Sequence, residues 1–480
     1  MSALSRPPNI ILINCDDLGY GDIGCYGSTC NRTPHLDQMA AEGLRLTDFY
    51  MPSAVCSPSR AGMLTGCYPN RIGFDEFHGL GVLFPGFAEG LHPEEVTIAR
   101  ALRDRGYGTA LVGKWHCGDQ PPFLPTRHGF DQYFGLPYSN DMGRQAVNRQ
   151  NWMRSLHQRA GTNYGLGDDG DVDYPPLPLM DGEKVLQEQP DQRALTERYV
   201  GECLRFMRGQ TAQAKPFFLY FAQMYVHLPI YVPEPWASRS QNGPYGAAVE
   251  HVDWSVGVLL NELKRLGIDD NTLVIFTSDN GSRAQGEGGH NTPLRGTKAT
   301  TWEGGLRVPC LLRWPGTIPA GTVGEGITTA MDFLPTFLRF AGEGPDLPHP
   351  IDGVDMTGTW VKGEPSPRDT FAYFHLGQLE AVRKGPWKRF FRRSGEVVQE
   401  LYYLRDDVGE QTNRFAGEPE VVAELDQLAE IFRTELGDLA TGQKGRGCRP
   451  VGKVDQPVPL TTYSPDHPYF AAEYDIGNAG

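Results

Sequence analysis

The chain has 480 residues, of which 39% are hydrophobic and 21% are charged. This composition is typical of a folded globular protein with a large buried core, and it excludes wholesale disorder. The formal net charge of −15 argues against broad binding to nucleic acids or to anionic membranes, so neither is an expected partner.

The N-terminal residues and the cysteines predict a cytoplasmic protein. Residues 1–8 lack the apolar stretch of a secretory signal, and no apolar run is long enough to span a bilayer. The nine cysteines are odd in number and none lies in a CxxC pair, which is typical of reduced thiols. A protein whose leader had been cleaved off would instead be periplasmic or secreted.

Four apolar, β-rich runs each end at a polar cluster, and helical patterns over 93–105 and 249–266 lie between them. The runs are 9–14 before Asp16 and Asp17, 109–112 before Lys114 and His116, 217–221 before His227, and 272–276 before Asp279 and Asn280. Continuous apolar runs suit central strands that are covered on both faces. The pattern predicts an α/β fold with a large, mostly parallel mixed sheet sandwiched by helices. The polar clusters would then meet at the carboxyl edge of that sheet.

The remaining segments predict two domains. Residues 1–365 form the α/β catalytic domain, in which the polar, Gly- and Asp-rich stretch 138–190 is predicted to be a loop-rich insertion. A Pro- and Gly-rich stretch over 342–367 marks the boundary. Residues 366–480 form a small α+β subdomain: an antiparallel sheet within 370–403, a helix over 418–436 and an extended arm from 441 onward.

One motif carries most of the functional information. From Cys56 the sequence reads Cys-Ser-Pro-Ser-Arg-Ala-Gly-Met-Leu-Thr-Gly. Pro58 suits the first turn of a helix, which would place Cys56 at a helix N-terminus where anions are favoured. A buried structural cysteine is the ordinary alternative. The motif closely resembles the signature of the formylglycine-dependent (type I) sulfatase family, and the chain resembles its arylsulfatase A and N-acetylgalactosamine-sulfatase branch over about 9–415.

This resemblance implies the fold of the alkaline phosphatase superfamily and a nucleophile made after translation. In the family, a formylglycine-generating enzyme oxidises the signature cysteine to an aldehyde, so that enzyme is an expected partner during maturation. The hydrate of the aldehyde attacks the sulfur of a sulfate ester. Cys56 is the corresponding residue in this chain.

The acidic residues at two strand ends predict a metal site. Asp16, Asp17, Asp279 and Asn280 offer only oxygen ligands, which suits Ca²⁺ or Mg²⁺. Such pairs are also common in turns and at helix caps. Their spacing resembles the sulfatase metal site, which implies that these four residues and the oxygen of modified Cys56 bind calcium, with magnesium as the alternative.

Five basic residues match the family pattern. The resemblance implies that Lys114 and Lys298 hold the sulfate, that Arg60 orients the hydrate, that His227 donates a proton to the departing alcohol and that His116 then acts as a base. Sulfate-ester cleavage needs such cations where negative charge develops and an acid for the leaving group.

Further substrate contacts are predicted around this set. Ser139 would face the substrate as in the branch that the chain resembles, next to Lys114, Lys298 and His227. His290, in a Gly-rich loop, and His375, after a C-terminal strand, are the other two candidates.

The predicted activity is hydrolysis of a small sulfate monoester, either a sulfated sugar or an aryl sulfate. One alternative is a phosphonate monoester or phosphodiester hydrolase of the same superfamily, since some of these share the Cys-x-Pro-x-Arg core. The other is an inactive binding protein in which Cys56 stays a thiol.

Overall fold

The computed structural model describes residues 6–143, 174–342, 344 and 346–469. The strands, in chain order, are β1 (Asn9–Cys15), β2 (Leu44–Leu46), β3 (Phe49–Tyr50), β4 (Glu89–Gly90), β5 (Gly108–Gly113), β6 (Gln132–Gly135), β7 (Pro178–Asp181), β8 (Lys184–Glu188), β9 (Phe217–Ala222), β10 (Thr272–Ser278), β11 (Cys310–Arg313), β12 (Thr322–Gly324), β13 (Thr328–Thr329), β14 (Thr370–His375), β15 (Gln378–Lys384), β16 (Trp387–Arg393), β17 (Glu396–Tyr403) and β18 (Gly452–Lys453). The α-helices are α1 (Pro34–Ala41), α2 (Cys56–Thr65), α3 (Ile98–Arg103), α4 (Leu195–Ala212), α5 (Gly243–Leu266), α6 (Glu303–Leu306), α7 (Phe333–Phe340), α8 (Thr357–Lys362) and α9 (Pro419–Leu436).

A large mixed sheet organises the protein. Its strand order is β12-β2-β11-β10-β1-β9-β5-β6-β7-β8, and the central strands from β10 to β6 are parallel. Every residue of β1, β9 and β10 is buried. Because successive side chains of a strand point to opposite faces, both faces of the sheet are covered. The predicted α/β architecture is confirmed.

Two groups of helices pack around this sheet. Helix α5 contacts both α1 and α4, and α2, α3 and α7 form a second group. The apolar stripe predicted over 249–266 lies on α5, where Val249, Val256 and Leu263 are buried. Among the described residues, no helix is long and apolar enough to cross a membrane.

The segment 138–190 is more regular at its end than predicted. Strands β7 and β8 form an antiparallel hairpin that continues the large sheet beyond β6. Leu179 and Met180 are buried, while β8 is mostly exposed and charged, as is typical of an edge strand. Because this edge is polar, its sequence pattern predicts a loop rather than a strand. Residues 144–173 lie outside the described residues.

The C-terminal region forms the predicted small sheet and helix. Strands β14 to β17 are antiparallel in consecutive order, and α9 packs on β15 and β16. Trp360 of α8, just before the predicted boundary at residue 365, is buried in the main core. The boundary itself stays a prediction. The arm after 441 returns to the large domain, where β18 pairs with β4 and Arg449 forms a salt bridge of 2.6 Å with Glu95.

Candidate active site

The register of the central strands brings the four polar clusters to one edge. Cys15 lies opposite Ser278 in neighbouring strands, and Asn14 and Gly113 both lie opposite Ala222. Backbone hydrogen bonds hold the residues that follow: Asp279 N donates to Cys15 O at 3.0 Å and Lys114 N to Ala222 O at 2.8 Å. The strand ends therefore fix where the side chains beyond them lie.

Cys56 lies in the first turn of α2, as the position of Pro58 predicts. Its side chain is 2% exposed, and its sulfur lies 3.4 Å from Asp16 Oδ1. Burial, followed by the charge of Asp16, raises the pKa of the thiol, so the unmodified residue is a protonated thiol at neutral pH. The hydroxyl of Ser59 donates to the carbonyl oxygen of Asp279 and ties α2 to the end of β10.

A cluster of possible metal ligands surrounds this sulfur. Single ligand atoms of Asp16, Asp17, Cys56 and His227 all lie within 4.8 Å of one another. Asn280 donates to Asp17 Oδ1 at 2.7 Å, while its own Oδ1 is buried without a hydrogen-bond partner among the described residues. Carboxylate oxygens beside an unpartnered amide oxygen are the donors that Ca²⁺ and Mg²⁺ prefer, so the residues fit a hard cation.

Asp279 is engaged differently from the other acidic residues. Its Oδ2 accepts a 2.8 Å hydrogen bond from Arg60 Nε, and its Oδ1 accepts one of 3.2 Å from the backbone N of Asp17. Arg60 is completely buried and also donates to the carbonyl oxygen of Lys114. The predicted orienting arginine therefore contacts Asp279, one of the predicted metal ligands, and holds it in place.

Both lysines predicted to bind sulfate pair with the acidic residues. Lys114 Nζ lies 2.6 Å from Asp16 Oδ2 and 2.9 Å from Ser139 Oγ, and Lys298 Nζ lies 2.9 Å from Asp17 Oδ2. Burial lowers the pKa of Lys114, but Asp16, Cys56 and Asp279 together raise it by more, so the ammonium stays charged.

The fixed charges at this edge balance one another. The three cations and three carboxylates are Arg60, Lys114 and Lys298 with Asp16, Asp17 and Asp279. A divalent cation bound among them would leave the site net positive. Although the whole chain carries a charge of −15, such a site attracts an anionic ester, because distant charges are screened within about 8 Å at physiological salt.

Each of the two histidines donates a hydrogen bond from one ring nitrogen to a backbone carbonyl oxygen, and the nitrogen left over is Nε2 in His227 and Nδ1 in His116. His227 Nδ1 donates to Leu228 O at 2.5 Å, which leaves Nε2 facing Ser139 Oγ at 3.4 Å and Asp17 Oδ2 at 3.8 Å. His116 Nε2 donates to Leu83 O at 2.9 Å, and its buried Nδ1 has no hydrogen-bond partner among the described residues. Burial, and then a neighbouring lysine, lowers the pKa of both rings.

Two residues of the site have a strained backbone conformation. Asp17 has a φ of 61° and His116 a φ of 60°, in the left-handed region that residues other than glycine rarely adopt. Such conformations persist only where the surrounding structure enforces them, and they are common at functional sites.

A cavity of about 240 Å³ opens onto this cluster. Its polar base contains Cys56, His116, Ser139, His227 and Lys298. Its wall is formed by residues that the sequence did not single out: Val55, Leu80, Gly81, Val82, Phe84, Asp141, Met142 and Tyr174. The rings of Phe84 and Tyr174 are nearly parallel, with centroids 6.5 Å apart. The apolar run before Pro85 was the available signal for part of this wall.

The structure does not bring His290 and His375 to this cavity. The backbone N of His290 donates to Asp22 Oδ1 at 2.9 Å, and its ring packs on the chain where Gly21 has no side chain. His375 lies 3.9 Å from Glu380 in the small sheet. Neither lines the cavity, so their contact with substrate stays a prediction without support from this geometry.

Known proteins resemble the chain over most of its length. The sulfatase family model matches residues 8–343. Arylsulfatase A of Homo sapiens is 37% identical over 506 residues, covering 97% of this chain and 96% of the relative. N-acetylgalactosamine-6-sulfatase of Canis lupus familiaris is 38% identical, covering 80% of this chain and 72% of the relative. The crystal structure of the PsFucS1 sulfatase from Pseudoalteromonas sp. has a TM-score of 0.78 and 28% identity, covering 93% of this chain and 92% of that one.

These similarities agree with one another and with the architecture. The matched family region contains all the strand ends of the site, and the relatives extend the match into the C-terminal sheet. The alkaline-phosphatase-like fold predicted from the resemblance is confirmed. The chain belongs to the sulfatase family, whose members hydrolyse sulfuric esters.

Proposed function

We propose that this sulfatase cleaves a small sulfate monoester through a formylglycine hydrate at position 56, next to a calcium ion. One observation carries the proposal: the sulfur of Cys56 lies 3.4 Å from Asp16 in a pocket lined by Lys298, and Lys114 lies 2.6 Å from the same Asp16. A thiol buried with this raised pKa is a poor nucleophile by itself. Oxidation of this thiol to formylglycine would explain why it lies at the base of the pocket.

The residues at this edge suit both the proposed formylglycine and the proposed cation. Formylglycine derived from Cys56 would supply, as its hydrate, the attacking hydroxyl and a second hydroxyl for release of sulfate. A divalent cation held by Asp16, Asp17, Asp279, Asn280 and the oxygen at position 56 would polarise the sulfate. Calcium is the proposed ion because the ligands are all oxygens, with magnesium as the alternative.

The lysines hold the ester. Lys114 and Lys298 present their ammonium groups beside the sulfur of Cys56, where a sulfate would replace part of their pairing with Asp16 and Asp17. Ser139 accepts a hydrogen bond from Lys114 and lies near His227, so it orders both donors. These positively charged groups stabilise the negative charge that develops on the sulfate oxygens.

The histidines move protons. Nε2 of His227 opens toward the cavity, and an arriving sulfate would raise the pKa of this ring and favour the protonated form that gives its proton to the departing alcohol. Nδ1 of His116 is an unprotonated nitrogen in the cavity, as required of the base that assists sulfate release. Burial raises the pKa of Asp279 to about 7, and Arg60, which lowers it, aligns this carboxyl group through the 2.8 Å hydrogen bond.

The cavity supports a small substrate. Its apolar wall of Leu80, Val82, Phe84, Met142 and Tyr174 suits the ring of a sulfated sugar or an aryl sulfate. We propose a cytoplasmic location as well, because all nine cysteines are free thiols. Maturation would then depend on a formylglycine-generating enzyme in the same cell, and fractionation of the native host tests the location.

Paired substrates test the proposal. The enzyme, matured by co-expression with a formylglycine-generating enzyme, should turn over 4-nitrophenyl sulfate with a kcat/KM that exceeds the value for the matching phosphodiester or phosphonate monoester. Preference for the phosphorus esters would favour the alternative hydrolase activity. A Cys56 that stays a thiol despite the co-expressed enzyme, with no turnover of any of these esters, would favour the inactive binding protein.

A further inference from the structure

A chain of hydrogen bonds leads from the signature motif to the base of the pocket. The backbone N of Leu83 donates to Ser57 Oγ at 3.1 Å, and the carbonyl oxygen of Leu83 accepts from His116 Nε2 at 2.9 Å. Ser57 and His116 are 0% and 1% exposed. A single peptide segment therefore connects the residue after Cys56 to the imidazole through two buried side chains.

This connection determines which nitrogen of His116 carries the proton. A carbonyl oxygen can only accept a hydrogen bond, so Nε2 must be the protonated nitrogen wherever Leu83 stays in place. Nδ1 then keeps its lone pair inside the cavity. If the Leu83 carbonyl moved away, the ring would lose the interaction that distinguishes its two neutral tautomers.

Leu83 has no regular secondary structure to hold it. It belongs to the irregular segment 80–88, which also supplies Leu80, Val82 and Phe84 to the cavity wall. A second anchor lies beyond it, where Gly86 N donates to Asp119 Oδ2 at 2.6 Å. Within the part of the chain that the structure describes, however, Ser57 has the only hydroxyl that bonds to Leu83, the residue whose carbonyl oxygen accepts from His116.

We propose that Ser57 is a positioning residue, which acts through the Leu83 peptide to keep His116 as the Nε2–H tautomer with Nδ1 free to accept a proton. The inference rests on the proposed function, because it assigns to Nδ1 the role of base in sulfate release. It gives the signature serine a part in turnover that is separate from its part in presenting Cys56 for oxidation.

The test compares Ser57→Ala with Ser57→Thr, which keeps the hydroxyl. Imidazole ¹⁵N shifts of histidine-labelled protein, with the His116 signal assigned by His116→Gln, report the tautomer directly. We expect wild type and Ser57→Thr to show the Nε2–H form, and Ser57→Ala to show a mixture. The kcat of Ser57→Ala, normalised to its formylglycine content, should fall about five- to tenfold while KM changes little, since a net hydrogen bond contributes about that factor.

Three results would overturn the inference. They are an unchanged His116 tautomer in Ser57→Ala, a normalised kcat equal to wild type, and a loss in Ser57→Thr as large as in Ser57→Ala. If Ser57→Ala does not fold, Asp119→Ala loosens the same segment from its other anchor and should shift the tautomer in the same direction; no shift there would equally contradict it. Failure of the proposed function appears separately, as absence of sulfate-ester turnover in fully converted wild type.

Discussion

Replacing Lys298 by methionine removes one charge from the pocket and keeps most of the side-chain volume. The ammonium lies 2.9 Å from Asp17, its side chain is 14% exposed and that of Asp17 is 4% exposed. In a site so shielded from solvent, the loss of one hydrogen-bond donor to the negative charge that develops on the sulfate costs about 2.7–4 kcal/mol of transition-state stabilisation. This corresponds to a decrease of about 10²–10³ in kcat. We therefore expect kcat/KM of Lys298→Met for 4-nitrophenyl sulfate to fall by at least that factor.

Folding should survive this change. Asp17 keeps its 2.7 Å hydrogen bond from Asn280, so the destabilisation should stay within about 1–3 kcal/mol, measured by thermal unfolding. Lys264→Met, at an exposed lysine in the last turn of α5, is the matched control and should retain full activity. A Lys298→Met enzyme within tenfold of wild type at equal formylglycine content would refute the assignment of Lys298 to the sulfate.

Three further predictions follow from other parts of the structure. Lys388→Met should destabilise the protein by about 3–5 kcal/mol, because it removes the buried ammonium that pairs with Glu303 and leaves Glu410 buried without a cationic partner among the described residues. Lys384→Met, at an exposed pair in the same sheet, should cost less than about 1 kcal/mol, and equal losses would contradict this reading. Burial raises the pKa of Asp253 from 3.8 to about 7, so the folded state holds a proton that the unfolded state has released and stability falls as pH rises through this range. The Tm of Asp253→Asn relative to wild type should therefore increase between pH 4 and pH 7, and a constant difference would exclude the effect. Exhaustive chelation should lower both Tm and turnover, with calcium restoring them better than magnesium; activity that persists without metal would exclude the cation site.

Sequence patterns were sufficient to predict the strands whose ends position the site residues. The runs before Asp16, Lys114, His227 and Asp279 are apolar throughout because their strands are covered on both faces, and such runs are recognisable without tertiary information. Because these strands pair in parallel, their carboxyl ends meet at the same edge of the sheet. The antiparallel sheet over 370–403 was predictable for a related reason, since its strands are short, β-rich and separated by turns.

The wall of the pocket was not predictable in the same way. Leu80, Phe84 and Tyr174 belong to irregular segments whose positions depend on single hydrogen bonds, such as that between Ser57 and Leu83, rather than on a periodic pattern. His290 is the opposite case, because the sequence predicts a substrate contact that the structure does not support. This residue follows β10 closely in sequence, but Asp22 holds its loop against Gly21, and no local sequence pattern indicates that contact.

The chemical state of residue 56 tests the central claim most directly. Mass spectrometry of the peptide containing Cys56, on samples produced with increasing amounts of a formylglycine-generating enzyme, measures the fraction of aldehyde beside the rate of sulfate-ester hydrolysis. The account predicts that kcat rises in proportion to the aldehyde fraction and reaches zero for the pure thiol and for Cys56→Ala. Full activity in a sample whose residue 56 is entirely unmodified cysteine would contradict it.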